Sequence, residues 1–227
     1  MSLHVYDQIE QGSEQWHAAR RGIITASVVG QFITAKTIKP ASNDYSRAMF
    51  LQLVAERITD YTEPTFTSGD MERGNFSEGL ARDIYSEHYA PAVEVGFMVR
   101  ELNGHRVGYS PDGTVGTDGL IEVKNPRQKK HLATIVSGKM PLEHMAQVQC
   151  GLLISGREWL DFISYSGGMP MFVKRILPDP RWFDAIFETV NTFEIAAAQI
   201  IGAYYAATLG MPATERVEEY EEIELKL

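Results

Sequence analysis

The side chains in this chain with the clearest chemical potential are Asp112, Glu122 and Lys124. Asp112 sits in the turn-forming run Gly108-Tyr109-Ser110-Pro111-Asp112-Gly113, and Glu122 and Lys124 follow in Leu120-Ile121-Glu122-Val123-Lys124. In a strand, residues i and i+2 point to the same face. Glu122 and Lys124 therefore project together, while Ile121 and Val123 face the other way. A hairpin through Gly116-Thr117-Asp118-Gly119 brings Asp112 beside them, so two carboxylates and one ammonium converge. Hard oxygen donors of this kind suit Mg²⁺, which is held by one or two carboxylates together with waters and phosphate oxygens. A lysine beside a metal-bound water helps to deprotonate or orient it. The set reads as metal-assisted phosphodiester hydrolysis. Taken by themselves, the same letters also describe an ordinary Pro-Asp-Gly turn followed by a solvated strand.

The elements that position these residues follow from periodicity and punctuation. Ser13 caps a helix over Glu14–Arg21 with Trp16 and Ala19 on its inner side, and Gly22 ends it. Thr25 or Ser27 starts a second short helix. Lys36–Asn43 reads as a loop. Ser42 or Asn43 caps a helix over Asp44–Thr59, with an apolar stripe of Met49, Phe50, Leu53, Val54 and Ile58. After a loop at Tyr61–Ser68, a longer helix runs over Gly69–Tyr89, with Phe76, Leu80 and Ile84 as its expected buried side. Glu78 then projects away from them, free for solvent or for a cleft at the helix edge.

Beyond Tyr89 the period becomes that of strands. Ala92–Arg100 is β-rich, and Asn103-Gly104 is a hairpin turn returning through Arg106–Ser110. Leu120–Lys124 ends at Pro126. Helices follow over Gln128–Val136 and Leu142–Ile154, strands over Trp159–Tyr165 and Met171–Ile176, and a long helix over Trp182–Leu209. This order predicts one domain over residues 1–227 of α/β (α+β) class, with a mixed central β-sheet flanked by helices.

Composition narrows the partners. The single cysteine, Cys150, excludes an intrachain disulfide and a four-cysteine metal site. The N-terminus lacks the basic and apolar regions of a signal peptide, and no apolar run is long enough for a membrane helix. A soluble intracellular protein is expected. The net charge of −9 argues against coating nucleic acid by bulk attraction. The segment Glu215–Lys226 contributes −4 of it as an acidic tail expected to fray at 215–227. Basic residues cluster at Arg20-Arg21, at Lys36, Lys39 and Arg47, and at Arg127, Lys129 and Lys130, as local grooves or as solvated faces. Gln147 and Gln149 fall on an otherwise apolar helix, either as satisfied core amides or as site groups. The six histidines show no zinc spacing, and neither serine nor cysteine has an evident paired base.

Five blocks occur in one order: W-H-A-A-R-R-G-I-I-T-A-S at Trp16–Ser27, E-R-G-N-F-S-E at Glu72–Glu78, S-P-D-G at Ser110–Gly113, E-V-K at Glu122–Lys124 and M-A-Q-V-Q at Met145–Gln149. Together they resemble the phage lambda exonuclease family, the YqaJ-type viral recombinases or alkaline exonucleases, within the PD-(D/E)xK nuclease superfamily. The resemblance covers about residues 11–165. It implies a restriction-endonuclease-like core and a Mg²⁺-dependent 5′-to-3′ exonuclease, with Mn²⁺ as a substitute metal. Such an enzyme degrades one strand of linear double-stranded DNA and leaves 3′ single-stranded overhangs. It also implies a toroidal homotrimer, a single-strand annealing protein as partner, and phage or prophage recombination in the cytoplasm of a bacterial host.

By position, the resemblance makes Asp112, Glu122 and the backbone carbonyl of Val123 metal ligands, with Glu78 a further acidic group near a second metal. Lys124 acts on the attacking water, and Gln147 stands beside the active site. Arg20 receives the DNA 5′ phosphate, with Ser27 closing the same block. Arg20 read without the resemblance is a helix-end arginine suited to the helix dipole. Two rivals remain open at this point: a repair or restriction nuclease of the same superfamily with another specificity, and a catalytically dead DNA-binding module on the same fold.

Overall fold

Short, well-punctuated elements make up the first third of the protein. The structure, a computed structural model, describes residues 2–7, 9, 11–63 and 69–216, with the backbone alone over 69–76. It opens with strand β1 (Leu3–Tyr6), helix α1 (Glu14–Arg20), strand β2 (Ile24–Thr25), helix α2 (Ala26–Val29) and the hairpin strands β3 (Ile33–Thr34) and β4 (Lys39–Pro40). Helices α3 (Asp44–Thr59) and α4 (Gly69–His88) follow. The strand-rich part comprises β5 (Ala92–Val93), β6 (Phe97–Leu102), β7 (His105–Tyr109), β8 (Gly113–Val115) and β9 (Gly119–Lys124). Then come α5 (Gln128–Ser137), a 3₁₀ turn (Leu142–His144), α6 (Met145–Ser155), β10 (Trp159–Ser164), β11 (Phe172–Ile176) and α7 (Pro180–Ala207).

Local chemistry sets the boundaries. Ser13 caps α1 by accepting from the Trp16 amide, and Asn43 forms a capping box with Ser46 at the start of α3. Asn103 and Gly104 both take positive φ, 52° and 84°, the requirement of a tight two-residue hairpin loop.

The strands form two principal sheets. One has the order β1-β6-β7-β2, the other β11-β10-β9-β8-β5. In the second sheet β9 is central, antiparallel to β8 and parallel to β10. Both of its faces are covered, as expected for a central strand. Leu120 joins the larger core with residues of α2, α3, α6 and α7, whereas Ile121 and Val123 join a smaller core with Ala81 and Tyr85 of α4. Glu122 and Lys124 continue the Leu120 face at the strand's C-terminal end, where the core gives way to a cleft.

The α3 stripe is as the periodicity predicts: Leu53 and Val54 are buried, with Met49, Phe50 and Ile58 packed against the same core. The α4 stripe is not. Ala81 and Tyr85 are the buried residues, while Leu80 is 45% exposed and Ile84 is half-buried. Phe76 lies among the residues whose side chains are not described. Counting apolar letters misplaced the face because α4 packs through a small residue and a tyrosine. The Tyr85 hydroxyl is satisfied by Asp161 at 2.7 Å. The rotation puts Glu78 and Arg82 on the edge of the packed stripe, one turn apart.

Three further differences have local causes. β1 is an unanticipated edge strand, paired with β6. Ala92–Arg100 is two strands in different sheets, broken around Gly96, where a Cβ would lie 1.8 Å from the Tyr6 carbonyl oxygen. The Lys36–Asn43 loop contains β4, one arm of the small hairpin. The Pro64 loop and the acidic tail beyond residue 216 lie outside the described residues. No helix among the described residues is long and apolar enough to cross a membrane.

Candidate active site

The cleft at the end of β9 is lined by one hairpin and by residues of α1, α2, α4 and α6. β8 and β9 pair with Val115 opposite Gly119, so the chain entering β8 runs back alongside Glu122 and Val123. Asp112 is the residue just before β8. Its Oδ2 accepts the Val123 amide at 2.6 Å, which fixes the turn against the strand. The Lys124 carbonyl accepts the Tyr165 amide on the β10 side. Alternation along the strand then turns the Val123 carbonyl to the opposite edge, beside Asp112.

Glu122 is 1% exposed and its carboxylate is fully engaged. Oε1 accepts from Lys124 Nζ at 2.7 Å and from Gln147 Nε2 at 2.5 Å, and Oε2 accepts from the Tyr109 hydroxyl at 3.2 Å. Gln147 comes from α6 and Tyr109 from β7, so three elements hold one carboxylate. Glu78 reaches the same cleft from α4. Arg82, one turn later, donates to the Asp112 carbonyl at 2.6 Å, to Glu78 at 3.4 Å and to Glu94 at 2.7 Å.

The titration behaviour records the crowding of negative charge. Burial, then the charges of Glu122 and Glu78, hold the Asp112 carboxyl well above the usual carboxylate range. Burial also raises Glu78, with Arg82 opposing and Glu122 reinforcing. Burial alone would lower Lys124, but the Glu122 and Asp112 charges outweigh it and raise its pKa. The raised Asp112 and Glu78 values mark a carboxylate cluster whose negative charge Lys124 and Arg82 do not fully offset.

That deficit bears on metal binding. Among the described residues no group of three His, Cys, Asp or Glu side chains is set to hold an ion as it stands. Asp112, Glu122, Glu78 and the Val123 carbonyl nonetheless supply only hard oxygen donors, the chemistry that Mg²⁺ requires. The donor set fits a hard divalent cation. A ligating Glu122 would give up part of its present bonding to Lys124 or Gln147.

Arg20, the last residue of α1, stands on another wall of the same cleft of about 430 Å³, which Glu78, Asp112, Glu122 and Lys124 also line. Its Nη2 donates to Ser27 Oγ at 3.1 Å and reaches Thr25 Oγ1 at 3.5 Å. The guanidinium lies over the Trp16 ring, 4.0 Å from its centroid, and 5.3 Å from that of Phe97. Burial lowers its pKa to about 10, against the raising effect of Glu56, so it stays cationic at neutral pH. Among the described residues no carboxylate lies within ion-pair distance of it.

The turn after α1 is gripped from behind. Gly22 has φ +63°, and a Cβ there would meet Arg57 Cγ at 2.4 Å. Its amide donates to Glu56 at 2.7 Å, and its carbonyl accepts from Arg57 Nε at 2.5 Å. Arg57 in turn makes two 2.7 Å bonds to Glu194 of α7. Arg21, whose neighbour faces the cleft, instead pairs with Asp60 at 2.8 Å and is structural.

The structure thus brings together Asp112, Glu122, Val123, Lys124, Glu78, Gln147, Arg20 and Ser27. It separates the two glutamines. Gln149 is buried and ties β11 to α7, donating to the Leu177 carbonyl and accepting from the Asp179 amide, both at 2.8 Å. Sequence reasoning missed Arg82 and Tyr109. The i, i+4 spacing from Glu78 was the available signal for Arg82. Tyr109 had none, because its contact crosses between sheets. His131 is fully buried and bonded to Ser164 and to the Pro170 carbonyl, a structural contact between α5 and β10.

The mixed sheet with helices on its faces is the fold of nucleases of the alkaline exonuclease type. The crystal structure of an alkaline exonuclease (LHK-Exo) from Laribacter hongkongensis is similar at a TM-score of 0.78 and 30% identity, over 88% of this chain and 100% of that one. LHK-Exo in complex with dAMP is similar at 0.75 and 32%, over 87% and 100%. A phage-related exonuclease from Haemophilus somnus 129PT shares the fold at 0.60 and 13% identity, over 80% and 96%. No curated protein matches the chain. Residues 15–158 match the YqaJ-like viral recombinase domain, and the chain belongs to that family. Every residue brought together in the cleft falls within that span, and α7 falls outside it.

Proposed function

We infer that this exonuclease-family chain is a Mg²⁺-dependent nuclease that removes nucleotides from the 5′ ends of linear double-stranded DNA. Mn²⁺ is the expected substitute metal. The observation that carries the reading is the pairing, in one cleft, of a crowded carboxylate cluster with a half-buried guanidinium that has no carboxylate partner among the described residues. The first suits a cation and the second suits an anion, and a terminal DNA phosphodiester with its metal satisfies both.

Each side chain then has a task. The planar fork of Arg20, stacked on Trp16 and steadied by Ser27, receives the terminal 5′ phosphate in bidentate fashion. Holding that end sets the first phosphodiester beside Asp112 and Glu122. Asp112, Glu122 and the Val123 carbonyl would hold Mg²⁺, with Glu78 near a second position. When bound, the ion supplies Lewis-acid polarisation and a more acidic water. Lys124 orients the attacking water and stabilises the negative charge that develops on the phosphate. Gln147 and Tyr109 keep the Glu122 carboxylate in place. Gripping 5′ ends leaves 3′ overhangs, the substrate of a single-strand annealing protein, in phage or prophage recombination within a bacterial host's cytoplasm. A toroidal homotrimer would retain DNA topologically where a net charge of −9 gives little bulk attraction.

The test is digestion of linear duplex labelled at either the 5′ or the 3′ end, with Mg²⁺ and with chelator. Metal-dependent release of the 5′ label first supports the reading. Release of the 3′ label first, or no release with any divalent metal, overturns it.

A further inference from the structure

A second cleft adjoins the first. It has a volume of about 320 Å³ and shares only Lys124 with the cleft that holds Arg20. Its inner surface is mainly apolar: Met140 is 8% exposed, Phe162 is buried, and Pro126, Pro141 and Ala133 add to it, with the hydroxyls of Thr134, Ser137 and Ser164 among them. Its rim is basic. Lys130 lies on α5, and Lys139 follows Gly138, whose φ of +60° ends that helix and starts the return of the chain. The one acidic rim residue, Glu143, is 4.0 Å from Lys130 and 3.8 Å from His144. His144 stacks on Phe162, with ring centroids 5.5 Å apart. Burial, then the charge of Lys124, lowers its pKa to about 4, with Glu143 opposing, so it presents a neutral imidazole at neutral pH.

An apolar floor of nucleotide size with a rim of excess positive charge suits a sugar and base with a phosphate at the mouth. Position adds to this. Lys124 is the residue the two clefts share, so a strand with its terminal phosphate at Arg20 and its scissile bond beside Lys124 enters this cleft if it runs on past that lysine. We propose that the Lys130–Lys139 cleft is a nucleotide subsite for the strand being digested, on the 3′ side of the scissile phosphate. The proposal rests on the reading that a DNA strand is cut beside Lys124.

Two variants separate the cleft from general electrostatics. Lys130→Ala with Lys139→Ala removes the rim charge. Ala133→Trp, at an exposed helix position, fills the cleft and leaves the charge in place. Thermal melting checks that both are folded. On linear 5′-phosphorylated duplex, both should raise KM roughly tenfold, with kcat and the preference for 5′ phosphate over 5′ hydroxyl retained. The double lysine variant should also flatten the dependence of log KM on log salt by about 0.9 for each phosphate that the lysines neutralise in the wild type. If the lysine variant is impaired while Ala133→Trp matches wild type, the lysines act at a distance and the subsite is overturned. Wild-type behaviour of both variants, or a fall in kcat with KM unchanged, overturns it as well. Failure of the wild-type protein itself to digest duplex DNA is a separate result and strikes the underlying reading.

Discussion

Replacing Arg20 separates its work on substrate from its work in the fold. The guanidinium makes two kinds of contact that respond differently. Its stacking on Trp16 at 4.0 Å and its bond to Ser27 exist whether or not DNA is present. They cancel in a rate comparison and appear in stability. A partly desolvated cation–π contact contributes about 0.5–2 kcal/mol, so Arg20→Ala should lower Tm by several degrees at about 2–4 °C per kcal/mol for a chain of this size. The proposed contact with a terminal phosphate would form only in the complex. A hydrogen bond to a charged group is worth about 1.5–3 kcal/mol, which is roughly ten- to a hundredfold in kcat/KM. Arg20→Lys keeps the charge without the fork, so it should fall between wild type and alanine. The assay is single-turnover digestion of matched duplexes that carry either a 5′ phosphate or a 5′ hydroxyl. Alanine should slow the phosphorylated duplex by the stated factor and leave the hydroxyl duplex near its already slow rate. Equal slowing of both substrates would refute the reasoning, because Arg20 would then be a general DNA contact or a structural residue.

Asp112→Ala, Glu122→Ala and Lys124→Ala should each abolish digestion while the far-ultraviolet circular dichroism is unchanged; a fully active Glu122→Ala protein would sink the metal-site assignment. Mg²⁺ or Mn²⁺ should stabilise the wild type by about 2.7 kcal/mol at a hundredfold excess over Kd, and much less in Asp112→Ala, as read by thermal shift. Because Asp112 and Glu78 have raised pKa values in the folded state, the native protein holds protons that the unfolded chain has already released. Their contribution is therefore fully present below about pH 4 and is lost as pH rises through the folded values. In chelator, Asp112→Asn should be more stable than wild type at neutral pH and should show a flatter stability–pH curve; an identical curve would contradict the crowding of charge. Light scattering should give a trimer, and a stable monomer over a wide concentration range would count against the ring.

Much of the cleft was legible because its core is local. Asp112, Glu122 and Lys124 lie on one hairpin, and the period of a strand alone fixes which of them share a face. The caps at Ser13 and Asn43 and the turn at Asn103-Gly104 were legible for the same reason, since each is settled between near neighbours. Contacts between distant segments were not. Tyr109 meets Glu122 across two sheets, and Arg82 reaches the Asp112 carbonyl from another helix. The α4 face was misread because hydrophobic letters identify a buried side only when packing is made by large aliphatic groups. Here it is made by Ala81 and by a tyrosine whose hydroxyl is satisfied. Gln147 and Gln149 illustrate the limit well: two positions apart on one helix, they point to different surroundings, and only tertiary structure tells which amide lines the cleft and which ties the frame.

The grip on Gly22 has a consequence for how the protein can be divided. Arg20 sits two residues before a peptide held on one side by Glu56 and on the other by Arg57, and Arg57 is anchored by Glu194. Glu194 belongs to α7, outside the family-matched residues 15–158. The part of the chain that carries the matched motifs therefore leans on a helix outside it, which also contributes Trp182, Ile186 and Phe193 to the core. A chimera that swaps α7 between relatives, or a fragment trimmed to the matched region, cuts the mooring of the turn that presents Arg20. The two positions are accordingly coupled: Arg57→Ala and Glu194→Ala should be non-additive in a double-mutant cycle although they lie more than a hundred residues apart.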